Sequence, residues 1–595
     1  VIVSEPKALL QGYRLLDALR SEGTLILNAP GWTAEDVSTS LCAADKRLLA
    51  EKRAKVFVVD GAHGAQALVD ALAAGKGKSG APASSELEPP FLLTSVARVV
   101  SALQSAQLGD KAFVQEADRR VQRVETHGWA DAQAEPEEAE RTAKRAAHFA
   151  YNSFAPHSGA GEASGEVVRA SWALAAWQML FREAYALDDA ALRPDLSEKT
   201  YNVEVTVNKR LTPLDYDRNL FHMELSTKGT GLKYEVGEAL GVHGWNDDEE
   251  VRAFIQWSGY NPDELVCTPS VLHPGRFETR TIFQTLQQNL DIFGKPSKSF
   301  FEALGKEVTN KDEARWLRFI SSAEGSSTFK KLSESETVTY ADVLHMFPSA
   351  SVSMDWLTKN VEPIKPRHYS IASAQVAVGE SVHLLIVTVD WKTPRGSTRF
   401  GQCTRYLSKL RPGTKVTVSI KPSVMKLPPF ESQPIIMAGL GTGAAPFRAF
   451  LQARAHQRAH GKQVGPMYYY FGSRHRSKEY LYGEELEAYL TDGLLTRLGL
   501  AFSRDQPQKV YVQHKIVEDG NQLAELLVPE LVSGNNGEAK DGERGIFTLC
   551  GPVWPVPDIQ EALVKALSTY GWTRERSEAK LEQLKEEERY VLEVY

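Results

Sequence analysis

The sequence predicts a multidomain protein of mixed α/β and β class: an N-terminal α/β domain, an antiparallel β-barrel split by a helical insertion, and a doubly wound C-terminal domain. Three observations predict it. The length, 595 residues, exceeds what one hydrophobic core serves and sets an expectation of three or four domains. Strict alternation at Val203, Val205 and Val207 gives way to a long stretch of helical spacing, and strands resume at 383–389 and 415–420. Finally, the run from Ile435 to Phe450 is apolar, meets three alternate glycines at Gly439, Gly441 and Gly443, and continues with helical spacing. That is a strand, a tight turn and a helix start.

Bulk properties narrow the function. A formal net charge of −7 argues against a nucleic-acid partner, and no apolar run is long enough to span a bilayer. Four cysteines, Cys42, Cys267, Cys403 and Cys550, lie far apart with no Cys-x-x-Cys spacing. This excludes the usual cysteine-ligated zinc or iron–sulfur site, leaves no metal to expect, and points to a reducing, cytoplasmic setting. The chain starts at Val1 without a charged-then-apolar secretion signal, and a targeting segment ahead of it stays open.

Residues 1–195 read as the α/β domain. The apolar runs 24–28 and 56–60 end in Asn-Ala-Pro-Gly and Asp-Gly, as buried strands leading into turns do. Alanine-rich helical stretches lie between and after them, and Ser158 to Gly165 reads as a flexible surface loop. A Ser/Thr-rich phosphate loop of the flavodoxin kind is not found after an N-terminal strand. Residues 196–245 and 355–430 read as the barrel, with a second strand at 221–225 and a turn through Gly237 to Gly244. Between these parts, 246–354 reads as a helical subdomain, with 283–301 amphipathic and 315–320 a further helix. Residues 431–595 carry the strand that opens at Ile435 and runs into the glycine turn, further strands at 467–471, 500–503 and 545–550, and another apolar segment at 510–512. Helical spacing separates most of them, as in a doubly wound sheet. The stretch 533–545 reads as a surface insertion and 573–589 as a solvated helix.

Ligands of a doubly wound sheet bind at the carboxyl ends of its strands, where Gly439 to Gly443, Ser473-Arg474, Ser503-Arg504 and Cys550-Gly551 all fall. Alternate glycines let the backbone take positive φ and let a ligand approach, and the N–H groups of a first helical turn favour an anion. A structural turn explains the glycines equally well when they stand alone. In Arg367-His-Tyr-Ser370 an arginine suits pyrophosphate, an aromatic ring stacks on a flat heterocycle, and a hydroxyl can bond a ring nitrogen. A strand with a surface arginine is the plainer alternative.

Taken together, Arg367-His-Tyr-Ser370, Gly401-Gln-Cys-Thr404, Gly439 to Pro446, Phe471-Gly-Ser-Arg474, Ser503-Arg504, Lys509-Val-Tyr-Val-Gln513, Cys550-Gly551 and Tyr595 occur in the order found in the ferredoxin-NADP reductase superfamily. The resemblance covers roughly the last two thirds of the chain and is closer to the FAD/NADPH half of the diflavin reductases. Among these it is closest to the flavoprotein (alpha) subunits of fungal-type assimilatory NADPH-sulfite reductases. Residues 23–28 with 55–60 faintly resemble a small α/β domain of pyruvate:ferredoxin oxidoreductases, without a cofactor constellation, and so imply a structural or docking role.

The resemblance implies FAD and NADPH as cofactors. It implies that Arg367 and Thr404 hold the FAD pyrophosphate, with the turn at Gly401, Gln402 and Cys403 offering backbone donors. Tyr369, beside His368, would stack on the isoalloxazine, and Ser370 would sit near its reactive nitrogen. Gly441 and Thr442 would cradle the NADPH pyrophosphate, while Ser473, Arg474, Ser503, Arg504, Lys509, Tyr511 and Gln513 match the positions around the adenosine end and its extra phosphate. Cys550 would lie beside the nicotinamide carbon, and Tyr595 would cover the flavin and swing away. Ser370, Cys550 and Tyr595 are therefore the expected catalytic set. One departure is Pro552, which stands where the diflavin pattern has an acidic residue. The implied activity passes electrons from NADPH through FAD to a sulfite reductase hemoprotein (beta) subunit carrying siroheme and an iron–sulfur cluster, in a hetero-oligomer that reduces sulfite to sulfide. Two alternatives stay open: a donor to another cytochrome or flavodoxin, and a structural subunit that has lost turnover.

Overall fold

The computed structural model describes residues 192–270, 272–531 and 541–595 continuously, and from the N-terminal part mainly 21–29, 31–59, 121–133 and 136–143. The loop expected at 158–165, the alanine-rich stretches between 60 and 120, and 533–540 of the expected insertion lie outside the described residues. The chain divides into two compact units, Val1–Tyr185 with Asp263–Ile282, and Ala186–Pro262 with Phe283–Tyr595.

In the first unit, Ile2–Ser4, Thr24–Asn28 and Lys55–Val59 pair in parallel, and Val121–Val124 adds to the edge antiparallel. Leu25, Leu27, Val56 and Val58 bury against Val37, Leu49 and Trp129. This unit also contains an antiparallel hairpin, Leu265–Pro269 with Phe277–Thr281, inside the stretch that was expected to be helical. The local chemistry favours the hairpin: β-branched Val266, Thr268, Thr279 and Thr281 flank a turn at Pro274-Gly275, where Gly275 takes φ +78.

The second unit begins with six strands: β1 (Thr200–Arg210), β2 (Leu220–Ser226), β3 (Ala239–Val242), β4 (Arg367–Ser370), β5 (Ser381–Val387) and β6 (Lys415–Lys421). They run β4-β3-β6-β1-β2-β5, all antiparallel, and a bridge between Ile371 and Leu384 closes the two edges into a barrel. Val203, Val205, Phe221, Met223, Leu240, Leu384 and Val416 fill it. Strand β3 corrects the expected turn through Gly237 to Gly244. All four of its residues are buried, so it shows no alternation, and a Cβ on Gly241 would meet Ser419 Oγ at 2.5 Å. Glycine is there for close strand packing, not for reversal.

The insertion between β3 and β4 supplies helices at Asp248–Ser258, Lys298–Leu304, Lys311–Ser321, Tyr340–Met346 and Met354–Asn360. The single amphipathic helix expected over 283–301 is broken. Ile282–Gln284 runs into a π-helical turn, Thr285–Asn289, and Gly294-Lys-Pro296 then interrupts the chain before the next helix.

A five-stranded parallel sheet follows: β7 (Ile435–Leu440), β8 (Met467–Ser473), β9 (Arg497–Phe502), β10 (Ile546–Gly551) and β11 (Tyr590–Val594), in the order β9-β8-β7-β10-β11. The expected doubly wound class holds. Ile435 and Met437 pack on one face and Ile436 and Ala438 on the other, which is why the strand reads as a continuous apolar run. Two details differ from expectation. Residues 510–512 are no strand: Tyr511 precedes the helix Val512–Glu518. The apolar C-terminal residues are instead the fifth strand, delivered by the charged helix Arg574–Glu586, whose Leu581 and Leu584 are buried. Strand order reverses between β7 and β10, so the glycine turn opens at the topological switch point.

The barrel and sheet meet through a polar seam. His222, Glu224 and His383, on the outer faces of β2 and β5, face Tyr482, whose hydroxyl lies 2.8 Å from His222 Nδ1, and Arg448, whose Nη1 lies 3.2 Å from His383 Nδ1. Among the described residues, no helix is long and apolar enough to cross a membrane.

Candidate functional site

In strand β4, Arg367 and His368 are exposed and Tyr369 and Ser370 half-buried. Tyr369 lies beside the Cys403 thiol, and burial pushes that thiol up to about 11. Cys403 is held by close packing, since a Cβ on Gly244 would meet its Sγ at 2.9 Å. Gly401 opens the helix Gln402–Lys409 without a side-chain cap. Thr404 Oγ1 turns back on this corner, donating to the Gly401 carbonyl and accepting from the Val389 N–H, each at 3.2 Å. Among the described residues no side chain pairs with the Arg367 guanidinium, and the buried Gln402 Nε2 has no hydrogen-bond partner. A half-exposed indole, Trp391, lies on the hairpin leading into Gly401, its Nε1 donating to Thr337 Oγ1 at 3.1 Å. Sequence reasoning missed it, although an aromatic on a strand before a glycine corner was visible. An unpaired guanidinium, an uncapped helix start, an orphaned amide and aromatic faces fit a flavin dinucleotide.

At the sheet, Cys550 is the penultimate residue of β10 with 1% exposure, and the Ser370 hydroxyl of β4 is near enough to its thiol to favour the ionised form. Burial pushes this thiol up to about 12; nearby Glu593 adds to the shift and Ser370 opposes it. Glu593 is Cys550's partner in the β10–β11 register, and Ser423 Oγ donates to its Oε2 at 2.9 Å. Burial raises the Glu593 carboxyl above the ordinary range. The terminal Tyr595 is fastened beside them. Its N–H donates to the Gly551 carbonyl at 3.1 Å, its hydroxyl lies 2.7 Å from Thr442 Oγ1, and its side chain stays largely exposed. The structure therefore brings together Ser370, Cys550, Thr442 and Tyr595, and adds Glu593. No local signal marks Glu593; only the pairing of β11 with β10 brings it to Cys550 and supplies the carboxyl that Pro552 lacks.

Gly441 takes φ +57 with open space around it, whereas Gly443 packs so closely that a Cβ would lie 2.0 Å from the Cys550 carbonyl oxygen. Further along the strand ends, the Ser503 N–H donates to the Ser473 carbonyl at 3.0 Å and the Arg504 N–H to the Arg474 carbonyl at 2.9 Å, so the two Ser-Arg pairs are adjacent. Arg504 and Lys509 are exposed without a partner among the described residues, and Arg474 lies 3.9 Å from Asp217. Tyr511 meets Trp554 edge-on at 6.0 Å. Gln513 is turned away from this group: it is buried, and its Nε2 donates to Asp558 at 3.2 Å.

Residues 193–406 match the family model of the FAD binding domain, and residues 437–554 that of the oxidoreductase NAD-binding domain. Over this part the chain is similar to the FAD/NADPH modules of diflavin reductases. The chain is 44% identical over 421 residues to the sulfite reductase (NADPH) flavoprotein component of Saccharomyces cerevisiae, an alignment covering 70% of this chain and 39% of that protein. It is 46% identical over 425 residues to the probable sulfite reductase (NADPH) flavoprotein component of Schizosaccharomyces pombe, covering 71% and 41%. It is 31% identical over 418 residues to the NADPH–cytochrome P450 reductase of Musca domestica, covering 68% and 60%. The chain thus spans about two fifths of the length of the two sulfite reductase flavoproteins. The cofactors of the module are FAD and NADPH.

Proposed function

We propose that the protein is an NADPH-dependent flavoprotein oxidoreductase that delivers electrons to a separate sulfite reductase hemoprotein subunit for reduction of sulfite to sulfide. The observation that carries the reading is the convergence of Ser370, Cys550, Glu593 and the tethered Tyr595 where the barrel meets the switch point of the sheet. Bound FAD supplies the chemistry that the side chains lack, accepting an electron pair from a nicotinamide and releasing electrons singly.

The chain's own residues bind, orient and gate. Arg367 and the uncapped N–H groups after Gly401 hold the flavin pyrophosphate, and Tyr369 and Trp391 offer rings to its flat parts. Ser370 provides a hydroxyl that is shared between the flavin edge and Cys550. Burial keeps the Cys550 thiol protonated, so it acts as a compact polarisable neighbour rather than a nucleophile. Glu593 places a second ionisable group, its carboxyl raised by burial, beside it. Tyr595 must leave its Thr442 contact before a nicotinamide can take its place, which makes its movement a step in turnover. Arg474, Arg504 and Lys509 meet the 2′-phosphate that distinguishes NADPH from NADH.

The hemoprotein partner is inferred from the similarity to the two sulfite reductase flavoproteins, and with it a cytoplasmic hetero-oligomer. The first unit is the candidate for docking or structural support. The similarity to a cytochrome P450 reductase keeps a different acceptor as the second reading. Anaerobic absorbance tests the core: a flavin spectrum bleached by NADPH and scarcely by NADH is expected, and the absence of flavin or of bleaching refutes the proposal. The chain alone should reduce a small dye but not sulfite, with sulfite reduction appearing only when the hemoprotein is added.

A further inference from the structure

Glu479 has 1% exposure, yet no expected cofactor contact involves it. Its carboxylate collects four donors from two different elements. Oε1 accepts from the Tyr216 hydroxyl and from Arg218 Nη1, each at 2.8 Å, both on the loop that joins β1 to β2 of the barrel. Oε2 accepts from the Ser473 hydroxyl and, at 3.2 Å, from the Arg474 N–H, both at the carboxyl end of β8. Burial by itself would raise this carboxyl, but the bonds from Ser473 and Tyr216 and the Arg218 charge prevail and hold it below the ordinary range. A buried charge so fully paired fixes its partners, because freeing any one of them leaves part of the carboxylate unsatisfied.

Two consequences follow for the nucleotide end. Ser473 has a single hydroxyl proton and gives it to Glu479, so it cannot also donate to a phosphate. The Arg474 backbone is fastened to the same carboxylate, and its carbonyl in turn accepts from the Arg504 N–H. Both arginines are thus referenced to one buried anion, which is itself tied to the barrel.

We propose that Glu479 is a positioning residue for 2′-phosphate discrimination, holding the two arginine-bearing strand ends in register with the barrel loop. The inference rests on the reading above that Arg474, Arg504 and Lys509 meet that phosphate. Glu479→Gln keeps the shape but faces some of the donors with an amide N–H₂. In the full FAD-loaded chain, dye-reduction kinetics should show the KM for NADPH rising at least fivefold, with kcat and the KM for NADH within twofold. Tyr216→Phe removes one donor only and should raise the NADPH KM about twofold with NADH unchanged; it decides the matter if the Gln variant does not fold. Parallel rises for both nucleotides would mean a merely structural role and overturn the proposal, as would no change in either. Arg504→Ala serves as the reference: if it loses NADPH preference while Glu479→Gln and Tyr216→Phe do not, only the Glu479 inference fails. If Arg504→Ala keeps the preference, the phosphate site itself is misplaced and both fall.

Discussion

Replacing Gly443 by alanine tests the junction of turn and sheet with a single methyl group. The new Cβ would lie 2.0 Å from the Cys550 carbonyl oxygen, 2.5 Å from its carbon and 3.0 Å from the Gly551 nitrogen. These are backbone atoms, so no side chain can rotate aside. An ordinary contact of 3.4 Å requires about 1.4 Å of retreat, from the turn, from β10 or from both. Overpacking of this kind costs about 1–3 kcal/mol, and a strand paired on both sides lies at the upper end. Cys550 moves with its carbonyl relative to Ser370, and a misplacement on the order of 1 Å at a reacting centre slows chemistry about 100-fold. Urea unfolding should therefore show the stability loss. Stopped-flow bleaching by NADPH should show the slow step, in a protein whose oxidised flavin spectrum is intact because the barrel is untouched. Gly441→Ala is the comparator: it adds a methyl into open space at φ +57, so its stability loss is the left-handed strain alone, about 1–2 kcal/mol. Wild-type stability and bleaching rate in Gly443→Ala would refute the packing of the turn on β10.

Three further outcomes are expected. Arg504→Ala and Lys509→Ala each remove a charge-assisted bond worth about 1.5–3 kcal/mol, so each should cut the NADPH-over-NADH ratio of kcat/KM by roughly tenfold to a hundredfold; ratios within twofold of wild type would contradict the assignment. The Cys550 thiol, pushed up to about 12 by burial, should resist iodoacetamide at pH 9 in the folded protein and react once unfolded, and alkylation at the rate of a free thiol would contradict it. His383 is driven down to about 4 by burial, with Glu224 opposing and Arg448 and His222 adding, while an unfolded histidine binds its proton near pH 6.5. Stability from this group is complete above that value and drains as pH falls toward 4. The urea midpoint should drop between pH 7 and 5, and less steeply in His383→Gln; a flat profile in the wild type would refute it.

Much of the site could be read locally, because its chemistry is written in neighbouring residues. The glycines at 439–443 must be glycines: one takes positive φ and the others lie against Tyr469 and the Cys550 carbonyl, and that demand shows in composition. The paired Ser-Arg dipeptides likewise stand at strand ends, where a short apolar run announces them, and Arg367 to Ser370 is itself a four-residue strand. The C-terminal class was legible for the same reason, since a strand buried on both faces and an amphipathic helix each carry their own periodicity. Strand β3 escaped notice because Ala-Leu-Gly-Val buried on all sides has no alternation and its glycines look like a turn.

The rest depended on which distant segments meet. Glu593 stands beside Cys550 only because β11 pairs with β10, and Glu479 gathers Tyr216 and Arg218 from more than 260 positions away in the chain. No local propensity encodes such pairings; they follow from the closure of the barrel, the order of the parallel strands and the burial of charge between them. Residue types and their spacing along the chain marked the glycine turn and the strand ends, and the resemblance they carry implied FAD and NADPH. Which carboxyl stands beside the thiol, and which one holds the arginines, was decided by tertiary contact, because an isolated buried charge is strongly unfavourable until its partners arrive from elsewhere.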